Sequence, residues 1–183
     1  GKSRCAEQRA ADWLAQPGCS VGHAAGRSAV FLATALGGDD EMRLRIARHR
    51  QDRALRVPGM LAHEVPRALA AALRSHSAPG TLVVVDCLTL WLTNLLMPLS
   101  GSALTELALT HEIEALCAAL REARGPVVCV SNEIGMGLSP LSPEARRFVD
   151  ELGRLHQAVA ALSGRVTLMV AGLPLTVKPV APP

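Results

Sequence analysis

Thr81-Leu82-Val83-Val84-Val85-Asp86-Cys87-Leu88-Thr89 is the stretch that decides the fold. Five residues are apolar or β-branched without a break, and then a carboxylate stands where the run stops. A strand with only one face buried alternates apolar and polar residues, whereas one buried on both faces reads as a continuous apolar run. Ala29-Val30-Phe31-Leu32-Ala33-Thr34, Pro126-Val127-Val128-Cys129-Val130-Ser131-Asn132 and Val166 to Ala171 repeat the pattern. Helical periodicity fills the intervals. Ser3 to Gln16 reads as a helix stopped by Pro17-Gly18, Asp39 to Asp52 as a charged helix, and Pro66 to Ser75 as an alanine-rich one. Thr105 to Arg124 carries Leu109, Ile113, Leu116 and Leu120 on one face. Pro143 to Leu162 has Ser142 as its N-cap and a stripe of Phe148, Leu152, Leu155, Val159 and Leu162. Cys19 to Ser28 reads as a loop. Strands buried on both faces and separated by helices predict an α/β protein with a mostly parallel sheet, helices covering both sides.

Composition sets the outer limits. The chain has 183 residues, the size of one domain, which we place at 1–179 with 180–183 as a disordered tail. The longest apolar candidate for a membrane span, Thr81 to Leu99, is broken by Asp86, Asn94 and Pro98. Five cysteines lack metal-ligand spacing and read as small hydrophobes in a reducing, cytoplasmic compartment. A net charge of +3 with no basic cluster among aromatics gives nucleic-acid binding no support.

Gly1-Lys2-Ser3 is the second half of a phosphate-binding loop, G-x-x-x-x-G-K-[ST]. In the whole motif, backbone N–H groups at a helix start cradle phosphates, the Lys reaches the outer phosphates, and the Ser hydroxyl ligates Mg²⁺. Asp86, closing its strand, suits the carboxylate that shares that metal. The first half of the motif and the strand leading into it do not stand ahead of Gly1 in this sequence. Within the charged helix, Met42, Ile46, His49 and Arg53 share one face. Spacing alone would make His49 an ordinary helix histidine and Arg50 and Arg53 a solvated face.

Three further segments are not explained by packing: Asp86-Cys87-Leu88-Thr89-x-x-x-Thr93-Asn94-Leu95-Leu96, Val130-Ser131-Asn132-Glu133-Ile134-Gly135-Met136-Gly137, and Val170 to Leu175 with Lys178. With Gly1-Lys2-Ser3-Arg4, Ala33-Thr34-Ala35 and Asp39-Asp40-Glu41-Met42-x-x-Arg45-Ile46-x-x-His49-Arg50, they resemble the bifunctional adenosylcobinamide kinase / adenosylcobinamide-phosphate guanylyltransferase family, in order, from Gly1 to Lys178.

The resemblance implies a P-loop fold of the recombinase type and a homotrimer. It also implies two reactions. ATP or GTP phosphorylates adenosylcobinamide, and a histidine then takes GMP covalently from GTP and passes it on, giving adenosylcobinamide-GDP. His49 matches the nucleophile. Gly1, Lys2, Ser3, Ala33, Thr34, Ala35, Arg50, Gln51, Asp52, Arg53, Glu64 and Asp86 match nucleotide-binding positions, and Ser3 and Asp86 match the Mg²⁺ ligands. Glu64, able to accept from guanine N1–H and N2–H₂, would select GTP. Asn132 and Glu133 end a strand where open α/β folds bind ligands, and His156 reads as structural. The sequence departs from the family in the stretch after Arg53, where Ala54 follows and no Trp or Thr precedes Glu64. Two other readings are a simple P-loop kinase without a covalent step and a nucleotide-binding subunit without turnover.

Overall fold

A computed structural model describes residues 1–16 and 26–180. Pro17-Gly18, most of the loop expected over Cys19 to Ser28, and positions 181–183 lie outside the described residues. The order is α1 (Lys2–Ala15), β1 (Ser28–Ala33), α2 (Asp40–Arg56), β2 (Leu61–Glu64), α3 (Leu69–His76), β3 (Thr81–Asp86), α4 (Leu88–Leu96), α5 (Glu106–Arg121), β4 (Val127–Val130), α6 (Pro143–Leu162), β5 (Val166–Val170) and β6 (Leu173–Lys178). Strands β2-β1-β3-β4 form a parallel sheet, and β5-β6 pair separately as an antiparallel hairpin. The last expected strand is thus half of a hairpin, turned by Ala171 at φ 50° and Gly172 at φ 82°. Glycine meets that left-handed requirement without steric cost.

Alternation along the strands sorts the core into two layers. Val30, Leu32, Val83, Val85, Val127 and Cys129 face a cluster built with α3, α4, α5 and α6. Ala29, Phe31, Leu82, Val84, Val128 and Val130 face α1 and the segment after α2, meeting Ala6, Ala10, Trp13, Val57 and Met60. Both faces of β1 and β3 are therefore dry, as their unbroken apolar runs require. Helix starts obey local chemistry: the side chains of Asp39, Thr105 and Ser142 each accept from the backbone N–H three residues on. Gly125 ends the approach to β4 where nothing larger fits, since a Cβ there would stand 2.2 Å from the Ala78 carbonyl oxygen. Burial pushes the thiols of Cys87 and Cys117 up and that of Cys129 up to about 12, as expected of inert core cysteines.

The outer edge of β4 carries no strand partner among the described residues. Helix α1 touches the hairpin instead: Arg9 donates to the Thr167 hydroxyl at 3.2 Å, and Gly1 abuts Gly172. At its other end the Trp13 indole donates to the Ser28 carbonyl, at the start of β1. Helix α1 therefore runs antiparallel to β1, and its amino terminus lies at the edge where the parallel strands finish. No described helix is long and apolar enough to cross a membrane.

One buried polar side chain ties the turns at that edge together. Asn94, 6% exposed, donates to the carbonyls of Thr34 and Pro66 at 2.8 and 2.9 Å. Asn94→Ala leaves both carbonyls buried without a donor, and we expect a loss of about 2–4 kcal/mol by urea unfolding. A variant as stable as the wild type would show that the bridge contributes nothing.

Candidate active site

The strand ends fall into one row. Ala33 is in register with Glu64 on one side and Asp86 on the other, and Asp86 with Val130. At the strand spacing of about 4.8 Å, the row spans about 14 Å. Alternation sends Asp86 to the same face as Phe31 and Ala33, the face that α1 covers. Gly1, Lys2 and Ser3 open α1 at this edge, with Gly1 as N-cap, Lys2 exposed and Ser3 half-exposed. The free N–H groups of a helix start and its positive dipole end suit a phosphate. Ser3 and Asp86 offer a hydroxyl and a half-exposed carboxylate. Such a sparse oxygen set fits Mg²⁺, which keeps waters and substrate phosphates as its other ligands. Among the described residues no three His, Cys, Asp or Glu side chains form a metal cage.

Ala33-Thr34-Ala35 continues β1 past its end. Thr34 is fully buried, and its hydroxyl donates to the Cys87 carbonyl while accepting from the Cys87 N–H, both at 2.8 Å. That hydroxyl braces the turn after Asp86; its proton is committed and the side chain is fully buried, so it fixes the position of its neighbours.

Helix α2 separates two cavities. One, about 430 Å³, is lined by Ala33, Arg50, Arg53, His63 and Glu64 among others. Its floor is β1. The Arg53 guanidinium, 9% exposed, lies 3.9 Å over the Phe31 ring. Burial lowers its pKa, while the carboxylates of Glu7 and Asp86 act the other way; a guanidinium stays charged through such a shift. Glu7, on α1 and 1% exposed, is bonded at 2.7 Å by Arg56, whose pKa the bond raises. Arg56 also holds Asp52 at 3.0 Å. Glu64, at the end of the exposed edge strand β2, pairs with Arg50. A ligand reaching Glu64 must share that carboxylate with Arg50 or displace it.

The second cavity, about 490 Å³, is lined by Leu44, Arg45, Arg48, His49 and Asp52. At 100° per residue, Arg53 lies about 40° to one side of His49 and Arg45 about 40° to the other. His49 thus stands on the shoulder between the cavities, half-buried as the Met42–Ile46–His49–Arg53 stripe predicts. Gln51 is exposed and lines neither cavity. The structure adds Arg45 and Arg48 to the surroundings of His49. Arg45 is visible in the sequence as the residue one turn earlier; Arg48 has no spacing signal of its own.

Sequence reasoning also passed over a polar chain past the end of β4. His156, on α6, bonds through Nε2 to the Ser131 hydroxyl at 2.7 Å, and its Nδ1 faces the Glu133 carboxylate at 3.4 Å. Ser131 bonds Thr89 at 3.0 Å, and Thr89 accepts from the Asn132 N–H at 2.8 Å. His156 is therefore structural and more, since it joins α6 to the Ser131-Asn132-Glu133 turn.

Residues 1–177 match the family described as cobinamide kinase / cobinamide phosphate guanyltransferase. A bifunctional adenosylcobalamin biosynthesis protein of Pseudomonas aeruginosa is 46% identical over 178 residues, covering 97% of this chain and 91% of the relative. Proteins of the same description from Salmonella typhimurium and Escherichia coli are 35% and 34% identical, each covering 81% of this chain and 85% of the relative. The chain is therefore a member of the cobinamide kinase / cobinamide phosphate guanyltransferase family.

Proposed function

We propose that this protein phosphorylates adenosylcobinamide with ATP or GTP and then transfers GMP from GTP through a covalent GMP–histidine, giving adenosylcobinamide-GDP. Family membership along residues 1–177 supports both reactions. The observation that carries the assignment of the second is the placement of His49 between two arginine-bearing cavities.

In the kinase step the start of α1 receives the triphosphate, with Lys2 on its outer phosphates. Ser3 and Asp86 would hold Mg²⁺, which when bound neutralises charge on the β- and γ-phosphates. In the transfer step neutral His49 attacks the α-phosphorus of GTP. An N–P bond forms, the α–β bridging P–O bond breaks, and pyrophosphate leaves with the electron pair. A phosphate oxygen of the phosphorylated cobinamide then attacks the same phosphorus and the N–P bond breaks, returning the imidazole. Arg45 and Arg48 on one side and Arg50 and Arg53 on the other neutralise the polyphosphate. Gln51 and Asp52 flank this group on α2. Glu64 accepts from the guanine edge, exchanging Arg50 for the base, while Ala33 and Ala35 border it and Thr34 holds the turn. A homotrimer is supported by the family resemblance and would cover the exposed apolar residues of the hairpin, Val170, Leu173, Leu175 and Val177. A cytoplasmic setting accords with free nucleoside triphosphates as substrates.

His49→Ala should abolish the GMP adduct formed from α-labelled GTP yet retain phosphorylation of cobinamide. Adduct at the wild-type level would refute the nucleophile assignment. Arg45→Ala and Arg48→Ala should each weaken GTP in the transfer step about 10- to 100-fold, the range for one charge-assisted hydrogen bond. Unchanged KM and adduct rate in both would remove that cavity from the site. At saturating nucleotide the wild type should form adduct from GTP in preference to ATP, and Glu64→Gln should narrow the gap. Equal adduct from both nucleotides in the wild type would count against guanine recognition, and an unaltered gap in the variant against Glu64.

A further inference from the structure

Phosphorylating an alcohol releases a proton, and none of the residues assigned above takes it. The polar chain beyond β4 is built for that task. It begins at Thr89, 8% exposed in the first turn of α4, three residues after Asp86. It passes through the half-buried Ser131 hydroxyl to His156, whose side chain is 22% exposed, and ends at Glu133, 42% exposed. The chain thus runs from a buried inner end to an accessible carboxylate.

One direction of the hydrogen bonds satisfies every member with a neutral imidazole, the hydroxyl rotors and tautomer being set to suit. Thr89 accepts from the Asn132 N–H and so is free to donate its own hydroxyl proton to Ser131. Ser131 then donates to His156 Nε2, which leaves the imidazole proton on Nδ1, facing Glu133 Oε2 at 3.4 Å. Glu133 Oε1 accepts from the Gly135 N–H at 2.7 Å. The Gly135 N–H holds one oxygen and the imidazole stands beside the other, while the exposed carboxylate stays open to the outside. A Cβ on Gly135 would stand 3.0 Å from that Oε1, so a larger residue there would push the carboxylate out by a few tenths of an ångström. Val130 is paired with Asp86, which places Glu133 three residues past the strand end neighbouring the phosphate-binding edge.

We propose that Glu133 accepts the alcohol proton in the phosphoryl-transfer step and that His156 is the positioning residue that orients it; this rests on the kinase reading above. As the alcohol oxygen attacks the γ-phosphorus, its O–H proton passes to Glu133. The new P–O bond forms while the β–γ bridging P–O bond breaks, and the nucleoside diphosphate leaves with that electron pair. The protonated carboxyl returns its proton to solvent.

The test compares wild type, Glu133→Gln, Glu133→Asp, His156→Leu and the Glu133→Gln/His156→Leu double variant in the full chain, using cobinamide and ATP. Thermal melts and ATP titrations confirm folding. Glu133→Gln should lose about 10²–10⁴-fold in kcat with little change in either KM, the span for general-base catalysis. Glu133→Asp should lose less. His156→Leu should also lower kcat, and adding it to Glu133→Gln should cost almost nothing more, because its effect runs through the carboxylate. A Glu133→Gln enzyme with wild-type kcat, or one impaired only in KM, overturns the assignment. Full additivity in the double variant overturns the positioning role of His156. A wild-type protein that does not phosphorylate cobinamide removes the kinase reading itself, and the proton acceptor with it.

Discussion

The central strands β1 and β3, buried on both faces, can offer polar chemistry only where they stop. Every residue of β1 and β3 between the ends faces a dry layer, so a charge inside either strand would be stranded without water or a partner. The site is pushed to the carboxyl edge, where Glu64, Ala33, Asp86 and Val130 stand in register. What surrounds that edge follows. Helix α1 must begin there because it runs back along the sheet to Ser28. The turns leaving the edge need internal bonds because the main chain at their base is buried, and Thr34 and Asn94 supply them.

Helix α2 then has two tasks. Its carboxyl-terminal half packs on the sheet through Arg53, stacked on Phe31, and through Arg56, which neutralises the buried Glu7. Its middle turns remain outside, carrying His49 with arginines on both shoulders. A side chain held on a packed helix keeps its orientation, and cavities lie on either side of this one. The start of α1 and the turns after Asp86 and Val130 lie apart from these middle turns, at the carboxyl ends of the strands.

The parts of this arrangement legible in the sequence are those with a repeating physical signal. Unbroken apolar runs located β1, β3 and β4, and the Ser142-Pro143 start fixed α6 to the residue. Strand β2 was missed because Leu-Ala-His-Glu is a short exposed edge with neither alternation nor a buried run. Helix α4 was quoted as a motif and not read as a helix, since it is apolar nearly all round. Strand β6 escaped because Pro174 interrupts it and its side chains face outward. In the candidate site, pattern and resemblance point to His49 and Asp86. The Ser131–His156–Glu133 chain was not, because its members lie 25 residues apart in sequence and meet only when α6 folds back over the end of β4.

The decisive measurement is whether the protein carries GMP on one histidine between its two substrates. Protein labelled with α-labelled GTP, freed of nucleotide and mapped by peptide, is then mixed with phosphorylated adenosylcobinamide. The expected result is acid-labile label on the peptide containing His49, discharged onto the corrinoid mole for mole. Label that forms elsewhere, or that stays on the protein when the acceptor is added, would contradict it.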